Sequence, residues 1–369
     1  VTEVAVIGGG VVGVAVAAAL GRQGHDVTVL EKNAKLGQEV SARNSGVIHA
    51  GIYYPADSIK AQTCVEGRER LYARCVKAGV PHRETGKLIV ATDEEGESKL
   101  EELRRQGMTN GAGALEILDA AKVHEKEPRV RARAALWSPR TGIVDVHMLV
   151  RSLAGEAENF GASIALCTTV SDIERLPNGW RLHTVSDGEP FALDVPVVVN
   201  AAGLGAEGIA AAAGVDIDRA RWRLHLCKGD YFSVSGLGLL TRHLVYPVPG
   251  VLGLGTHITF DLGGQFRLGP DAEYVPRVSF NIDEAKAEGF AAAVSQFLPE
   301  VTVTNLSPDF AGIRPKLQAP GEAFRDFVIE EGTPHGTPGM IHLIGIESPG
   351  LTASLAIGER VARMVNSLR

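Results

Sequence analysis

Residues Val4 to Lys32 read VAVIGGGVVGVAVAAALGRQGHDVTVLEK, and no other stretch restricts the fold as tightly. Val4–Ile7 is a short apolar run, long enough for a buried parallel strand. Gly8, Gly10 and Gly13 follow at G-x-G-x-x-G spacing, and a helix is expected over about Val11–Gly21. Val27–Leu30 reads as a second buried strand, with Glu31 at its end. In this context each glycine has a task. Gly8 permits the tight turn, Gly10 lets a pyrophosphate approach the backbone, and Gly13 lets helix and strand pack closely. The free N–H groups and positive dipole end of the helix face the phosphates. Glu31 can accept hydrogen bonds from both hydroxyls of a ribose and would repel a 2′-phosphate, which argues against NADP. Lys32, next to it, is assigned to the same cofactor site.

The chain of 369 residues is long enough for two domains. It is 45% hydrophobic and 22% charged, the make-up of a globular protein. A net charge of −7 without a long basic run argues against nucleic acid as a partner. No apolar run reaches the ~18 residues that span a bilayer without interruption by glycine. The apolar start lacks a basic leader and is accounted for by the nucleotide-binding strand and helix, so a signal peptide is not expected. The chain opens on Val1 rather than Met, which leaves an upstream segment open. Cys64, Cys75, Cys167 and Cys227 form no C-x-x-C pair and are read as reduced thiols of a cytoplasmic protein. No metal-site spacing is present.

After the second strand, residues 38–54 (QEVSARNSGVIHAGIYY) read as an ordered polar loop lying across the cofactor. Ser41, Asn44 and Ser45, with Arg43, offer donors, and His49, Tyr53 and Tyr54 are the first candidates for chemistry. Residues 57–77 have helical periodicity with Asp57 or Ser58 as N-cap. Residues 86–92 read as a strand, and residues 93–105 as a charged surface helix with a Glu-rich start and Arg-rich end. A helix over 146–160 and short strands around 163–168 and 170–176 follow. Pro177-Asn178-Gly179 reads as a hairpin turn, with a return strand over 180–185. The run 195–203 is a buried strand ending in Ala202 and Gly203, small residues suited to backbone approach by a dinucleotide; Val170 is assigned to the same site.

From Arg221 to Ala311, strand-like segments at 230–234, 243–248, 253–259 and 265–268 alternate with Gly/Pro turns and read as an antiparallel sheet. A helix over 282–297 follows. A buried strand over 339–346 and the turn Glu347–Thr352 then lead into a helix over 353–368. The turn before that helix, with Gly350, Leu351 and Thr352, leaves bare N–H groups at the helix N-terminus, suited to stabilising negative charge.

Together, the N-terminal glycine motif, SARNSGVIHAGIYYP at 41–55, GIRPKL at 312–317 and ESPGLTASLAIGE at 347–359 resemble the D-amino-acid-oxidase-like FAD oxidoreductases. Within that family the early loop, KAQTCVEG at 60–67 and GKLIVAT at 86–92 are most similar to the L-2-hydroxyglutarate dehydrogenase/oxidase group. The resemblance implies FAD, expected to be noncovalent, with its pyrophosphate on Gly8–Gly13. It places the ring near 44–49 and against the turn 349–352. His49 or Cys227 would carry a bond if the flavin were covalent.

A 2-hydroxy acid needs a cation for its carboxylate and a base for its hydroxyl proton. Arg314 is the first choice for the carboxylate and Lys228 for a second one. His49 and His257 are the base candidates, because imidazole titrates near working pH. Tyr54 and Tyr246 are donors to substrate. Where the resemblance leads one to expect Arg-Gly, the chain has Lys228-Gly229.

The expected architecture is an α/β protein with a discontinuous Rossmann-like FAD domain (1–80, 145–215, 313–369). The substrate domain (81–144, 216–312) is α+β, with an antiparallel sheet over the flavin. The expected reaction is oxidation of a 2-hydroxy dicarboxylate. The alternatives are an FAD-dependent amino-acid or amine oxidase (glycine, sarcosine or a D-amino acid) and a non-catalytic flavin-binding partner. The electron acceptor (oxygen, quinone or protein), the oligomeric state and a peripheral membrane contact are left open.

Overall fold

The structure is a computed structural model that describes residues 1–249 and 255–368. The strand Glu3–Ile7 lies inside a six-stranded sheet whose spatial order is 328–332, 337–344, 197–200, 3–7, 26–30 and 163–165. All neighbours are parallel except the edge strand Val328–Gly332, which runs antiparallel to Thr337–Ile344. In the central strands Val4, Val6, Val27, Val29, Val198 and Val199 are all at most 1% exposed, which is why these runs are apolar without alternation. Helices Val11–Arg22 and Gly350–Ser367 share one core cluster with this sheet. Residues of helices Ile59–Ala78 and Val146–Asn159 pack with the first helix in a second cluster. Ser58 is the N-cap of Ile59–Ala78, its side chain accepting from the Ala61 amide at 3.1 Å.

A three-stranded antiparallel sheet, Thr168–Leu176, Gly179–Ser186 and Glu189–Val195, is attached beside it. The third of these strands was read as a turn. Its residues 189–192 are all exposed, so the apolar alternation that marks a half-buried strand is missing. The run 195–203 accordingly divides: Val195 ends this strand, and Val197–Asn200 joins the large parallel sheet.

Among the described residues the second large sheet has nine strands. Its long members are His225–Val234 and Leu306–Lys316, paired antiparallel. Leu244–Pro247 pairs parallel with Lys87–Ala91, so this sheet is mixed rather than purely antiparallel. The two partners come from stretches far apart in sequence, and periodicity carries no information on their relative direction. Of the strand expected over 253–259, Ile258–Phe260 is present, and positions 253 and 254 lie outside the described residues. Helix Ala287–Ser295 covers one face through Phe290 and Val294. It is shorter than expected because residues 284–286 form a 3-10 turn.

Helix Glu94–Asn110 runs past the expected end at 105 and carries no basic residue in its last turn. Gly350–Thr352 are the first turn of the last helix rather than a turn before it. All four cysteines are free. Among the described residues no helix is long and apolar enough to cross a membrane.

Sheet membership supports the two-domain division, which we propose with one boundary moved. Strand Leu306–Lys316 stays in the nine-stranded sheet to its end, so the chain crosses back after Lys316 rather than at 313.

Candidate functional site

A cavity of about 1020 Å³ lies between the two large sheets. One end is built by the first strand–turn–helix unit. Gly8 has φ +109°, and a Cβ there would stand 2.5 Å from the Ala201 carbonyl oxygen. A Cβ on Gly13 would stand 1.9 Å from the Gly8 carbonyl oxygen, so Gly13 serves packing and does not line the cavity. Gly10 does line it, and a Cβ there would meet only Ser41 Oγ, at 3.2 Å. Ser41 Oγ accepts from the Val11 amide at 3.0 Å, tying the early loop to the helix start.

Glu31 is buried at the cavity wall. It accepts from the Gly9 amide at 2.7 Å and from Asn33 N and Nδ2 at 2.8 and 2.7 Å. Gly9 was not singled out from the sequence, yet a Cβ there would meet Leu36 at 2.4 Å. Lys32 lines the same end and pairs with Glu39 at 2.7 Å. Val170, Ala202 and Gly203 complete the wall.

The lining continues through Asn44 and Ser45 to the start of the last helix. Asn44 is held by its Nδ2 donating to the Ser41 carbonyl at 2.7 Å, and its Oδ1 accepts from the Gly46 amide at 2.8 Å. Gly350 and Leu351 face the cavity at a helix terminus that has no side-chain cap. Thr352, expected at the cofactor, is not in the lining. Its Oγ1 accepts from the His49 amide at 3.0 Å and donates to the Val47 carbonyl at 3.3 Å, so it pins the short strand Val47–Ile48, which interrupts the expected loop just before His49.

At this end His49, Tyr54, Tyr246, His257 and Arg314 converge as expected, joined by Tyr53. His49 Nδ1 is buried and has no hydrogen-bond partner among the described residues, while Nε2 lies 3.4 Å from Ser348 Oγ. Burial first, then the charge of Lys87, lowers the His49 pKa to about 3, so the ring is neutral. The ring of His257 stacks on Tyr246 with centroids 3.5 Å apart. Burial raises the phenols of Tyr53, Tyr54 and Tyr246, which stay protonated as donors.

Arg314 is half-buried, Nη2 donating to the Asp271 carbonyl at 2.7 Å and Nη1 to Cys227 Sγ at 3.2 Å. Burial works against its charge, but Cys227, Tyr231 and Glu347 outweigh it and hold the guanidinium above its usual range. No carboxylate among the described residues forms an ion pair with it.

Lys228 is not at this site. It is 7% exposed, bonded to the Asn281 carbonyl, and paired with Asp230 at 2.8 Å. Asp230 is fully buried and also binds Lys286 at 2.7 Å, so both lysines serve to neutralise it. Lys316, two residues beyond Arg314 on the same strand, does line the cavity, as do Lys32, Arg43 and Lys60. Spacing by two places both side chains on one face, about 6.6 Å apart along the strand. Lys316 is 3.3 Å from Glu347, which already binds Lys60 at 2.9 Å, so two lysines share one carboxylate. Burial pushes Glu347 upward, but these lysines hold its carboxyl below the usual range.

Sequence reasoning passed over Lys316, Lys60, Glu347 and Lys87. The i, i+2 spacing from Arg314 was a usable signal for Lys316. A lysine opening the apolar strand 87–91 was one for Lys87. Lys60 and Glu347 are 287 positions apart, and only the fold joins them.

The donor set fits FAD. It has a Cβ-free cradle at Gly10, a buried acid at Glu31 and an uncapped helix start at Gly350. A family model for FAD-dependent oxidoreductases (DAO) matches residues 3–364. The mitochondrial L-2-hydroxyglutarate dehydrogenase of Arabidopsis thaliana is 37% identical over 98% of this chain and 82% of its own length. An L-alpha-glycerophosphate oxidase structure from Mycoplasma pneumoniae with FAD bound is 28% identical, with a TM-score of 0.89 over 99% of this chain and 94% of that one. A glycine oxidase structure from Geobacillus kaustophilus shares the fold, with a TM-score of 0.81 at 23% identity over 100% of this chain and 95% of that one.

Proposed function

We propose, from the premise that this chain belongs to the DAO family of FAD-dependent oxidoreductases, that it oxidises a 2-hydroxy dicarboxylate, L-2-hydroxyglutarate or a close analogue, to the 2-oxo acid. The observation that carries this reading is the pair Arg314 and Lys316, both lining the cavity from one strand. A guanidinium without a carboxylate partner takes a substrate carboxylate in two-point fashion. Lys316, which holds only part of Glu347, takes the second. The curated L-2-hydroxyglutarate dehydrogenase at 37% identity supports the same choice.

Gly8–Gly10, Glu31 and the Gly350 terminus would hold FAD, which supplies a two-electron acceptor when bound. The chain's own groups manage charge and protons. His49 is neutral, and its Nε2, 3.4 Å from Ser348 Oγ at the cavity face, can accept the hydroxyl proton as the C2 hydride leaves. Tyr54 and Tyr246 are protonated donors that orient the substrate oxygen. Stacking on Tyr246 fixes the His257 ring as the second base candidate. Cys227 is 1% exposed and engaged by Arg314, which supports a noncovalent flavin. An external electron acceptor completes the cycle, and the free thiols support a reducing compartment.

Amino-acid oxidation, the second reading, shares the fold and would use Arg314 as a monocarboxylate clamp. It leaves Lys316 without a role, and Glu347, committed to two lysines, does not serve a substrate ammonium. The test is an anaerobic titration of the holoenzyme followed by flavin absorbance. The arms are L- and D-2-hydroxyglutarate, other hydroxy diacids, L-glycerol 3-phosphate, glycine, sarcosine and D-alanine. Bleaching by a hydroxy diacid is expected. Bleaching by an amine or by the phosphate ester alone overturns the proposal.

A further inference from the structure

Lys87 opens a strand whose five residues are all buried, and it is itself 1% exposed. Its Nζ donates to Tyr53 Oη at 3.1 Å and lies over the Tyr53 and Tyr246 rings at 4.5 and 4.7 Å. No carboxylate among the described residues pairs with it. The groups around it are His49, Tyr53, Cys64 and Tyr246, with His257 stacked behind Tyr246. Arg68, from the same helix as Cys64, is engaged by the Ala50 and Ala112 carbonyls. The Glu127–His243 pair closes on itself at the start of strand Leu244–Pro247.

A buried ammonium without a counter-ion is unfavourable unless an anion arrives or the proton leaves. Burial lowers the Lys87 pKa to about 7, so both states are within reach at neutral pH. The charge also fixes a hydrogen-bond direction. An ammonium only donates, so Tyr53 Oη accepts from it, and the phenol's own hydrogen is left to point elsewhere. Tyr53 lines the cavity, and Lys87 lies behind it.

We infer that Lys87 is a positioning residue for the reaction: its ammonium turns the Tyr53 O–H into the cavity as a charge-strengthened donor to one carboxylate of the substrate. The inference rests on the anionic-substrate reading above. When the anion binds, Lys87 gains the countercharge it lacks, so binding and protonation of Lys87 favour each other. Substrate affinity therefore declines as pH rises through the Lys87 titration, and ligand binding draws in a proton.

The probe is glutarate, a non-oxidisable dicarboxylate, titrated calorimetrically into the holoenzyme. Measurements at pH 6.5, 7.5 and 8.5, in buffers of different ionisation enthalpy, count the protons taken up. Wild type is expected to take up a fraction of a proton at pH 7.5. Lys87→Met is expected to bind about tenfold to a hundredfold more weakly, with the proton uptake gone and FAD content unchanged. Lys87→Arg keeps the charge and is expected to recover most of the affinity. It should move the alkaline decline out of the range measured, because guanidinium does not titrate there.

Tyr53→Phe tests the same relay should Lys87→Met fail to fold, and is expected to weaken glutarate to a similar degree. Glutarate binding by wild type that is unchanged in affinity or proton count in Lys87→Met, or unchanged in affinity in Tyr53→Phe, overturns the role of Lys87 and leaves the substrate class standing. No glutarate binding by wild type overturns the dicarboxylate reading, and the relay with it.

Discussion

Replacing Arg314 by Met tests the anion clamp. The guanidinium has five N–H donors. Two are spent inside the protein, on the Asp271 carbonyl and on Cys227 Sγ. Three remain, enough for a two-point grip on a carboxylate at the cavity face. Each charge-assisted hydrogen bond contributes about 1.5–3 kcal/mol. Arg314 is only half-buried, so the lower part of the range applies. Two such bonds lost give about 3–4 kcal/mol, or about two to three orders of magnitude in Kd. Methionine keeps much of the length of the side chain, so the Gly10 cradle and Glu31 are untouched and FAD occupancy is expected to stay at wild-type level. The assay is anaerobic flavin reduction in a stopped-flow instrument over a range of L-2-hydroxyglutarate concentrations, with FAD content read from absorbance. A half-saturation constant within threefold of wild type would remove Arg314 from the substrate site. Loss of FAD together with turnover would show that Arg314 acts on the fold instead.

Four further outcomes are expected. Lys316→Met should weaken glutarate by about tenfold and leave a monocarboxylate such as butyrate within twofold, because only the second carboxylate loses its cation; equal loss for both would refute the assignment. Gly10→Ala should give a folded protein that retains less FAD, since its Cβ meets only the Ser41 hydroxyl at 3.2 Å. Gly13→Ala should fail at the level of folding, with a Cβ 1.9 Å from the Gly8 carbonyl; thermal melts of both apoproteins separate the cases. His342 is fully buried, bonded to Thr337 Oγ1 at 3.0 Å, and burial lowers its pKa from 6.5 to about 4. A depressed folded-state pKa leaves stability intact above 6.5 and lowers it as pH falls from 6.5 toward 4, by about 3 kcal/mol in all. His342→Gln should flatten that part of a melting-temperature curve against pH, and an unchanged acid slope would refute the assignment.

The nucleotide end of the site was legible in the sequence because its parts are neighbours in the chain. A buried strand, three spaced glycines, a helix and an acid after the next strand sit within Val4–Glu31, and local sterics alone assign their tasks. The early loop was legible for the same reason, since His49, Tyr53 and Tyr54 fall within six residues. Thr352 shows the limit. Its place at a helix start was visible, but whether its hydroxyl faces the cavity or the Val47–Ile48 strand depends on a partner about 300 positions away.

Lys228 and Lys316 show what only the tertiary structure decided. Both are lysines in or beside strands of one sheet, with nothing local to separate them. Lys228 meets Asp230, a buried carboxylate that also binds Lys286, so its charge is consumed there. Among the described residues Lys316 pairs only with the shared Glu347, so part of its charge remains for the cavity. Burial sets proton states in the same way. Lys87 and His49 are ordinary ionisable groups as letters, and their shifts come from burial in the folded chain, with the charge of Lys87 adding to the shift of His49. The sequence by itself determined most of the elements and the strand–glycine–helix unit suited to a dinucleotide, because those depend on periodicity and backbone sterics over a few residues. Which charges stay unpaired, and so which ligand the cavity accepts, was decided by contacts between distant segments, where desolvation and pairing act only once the chain has folded.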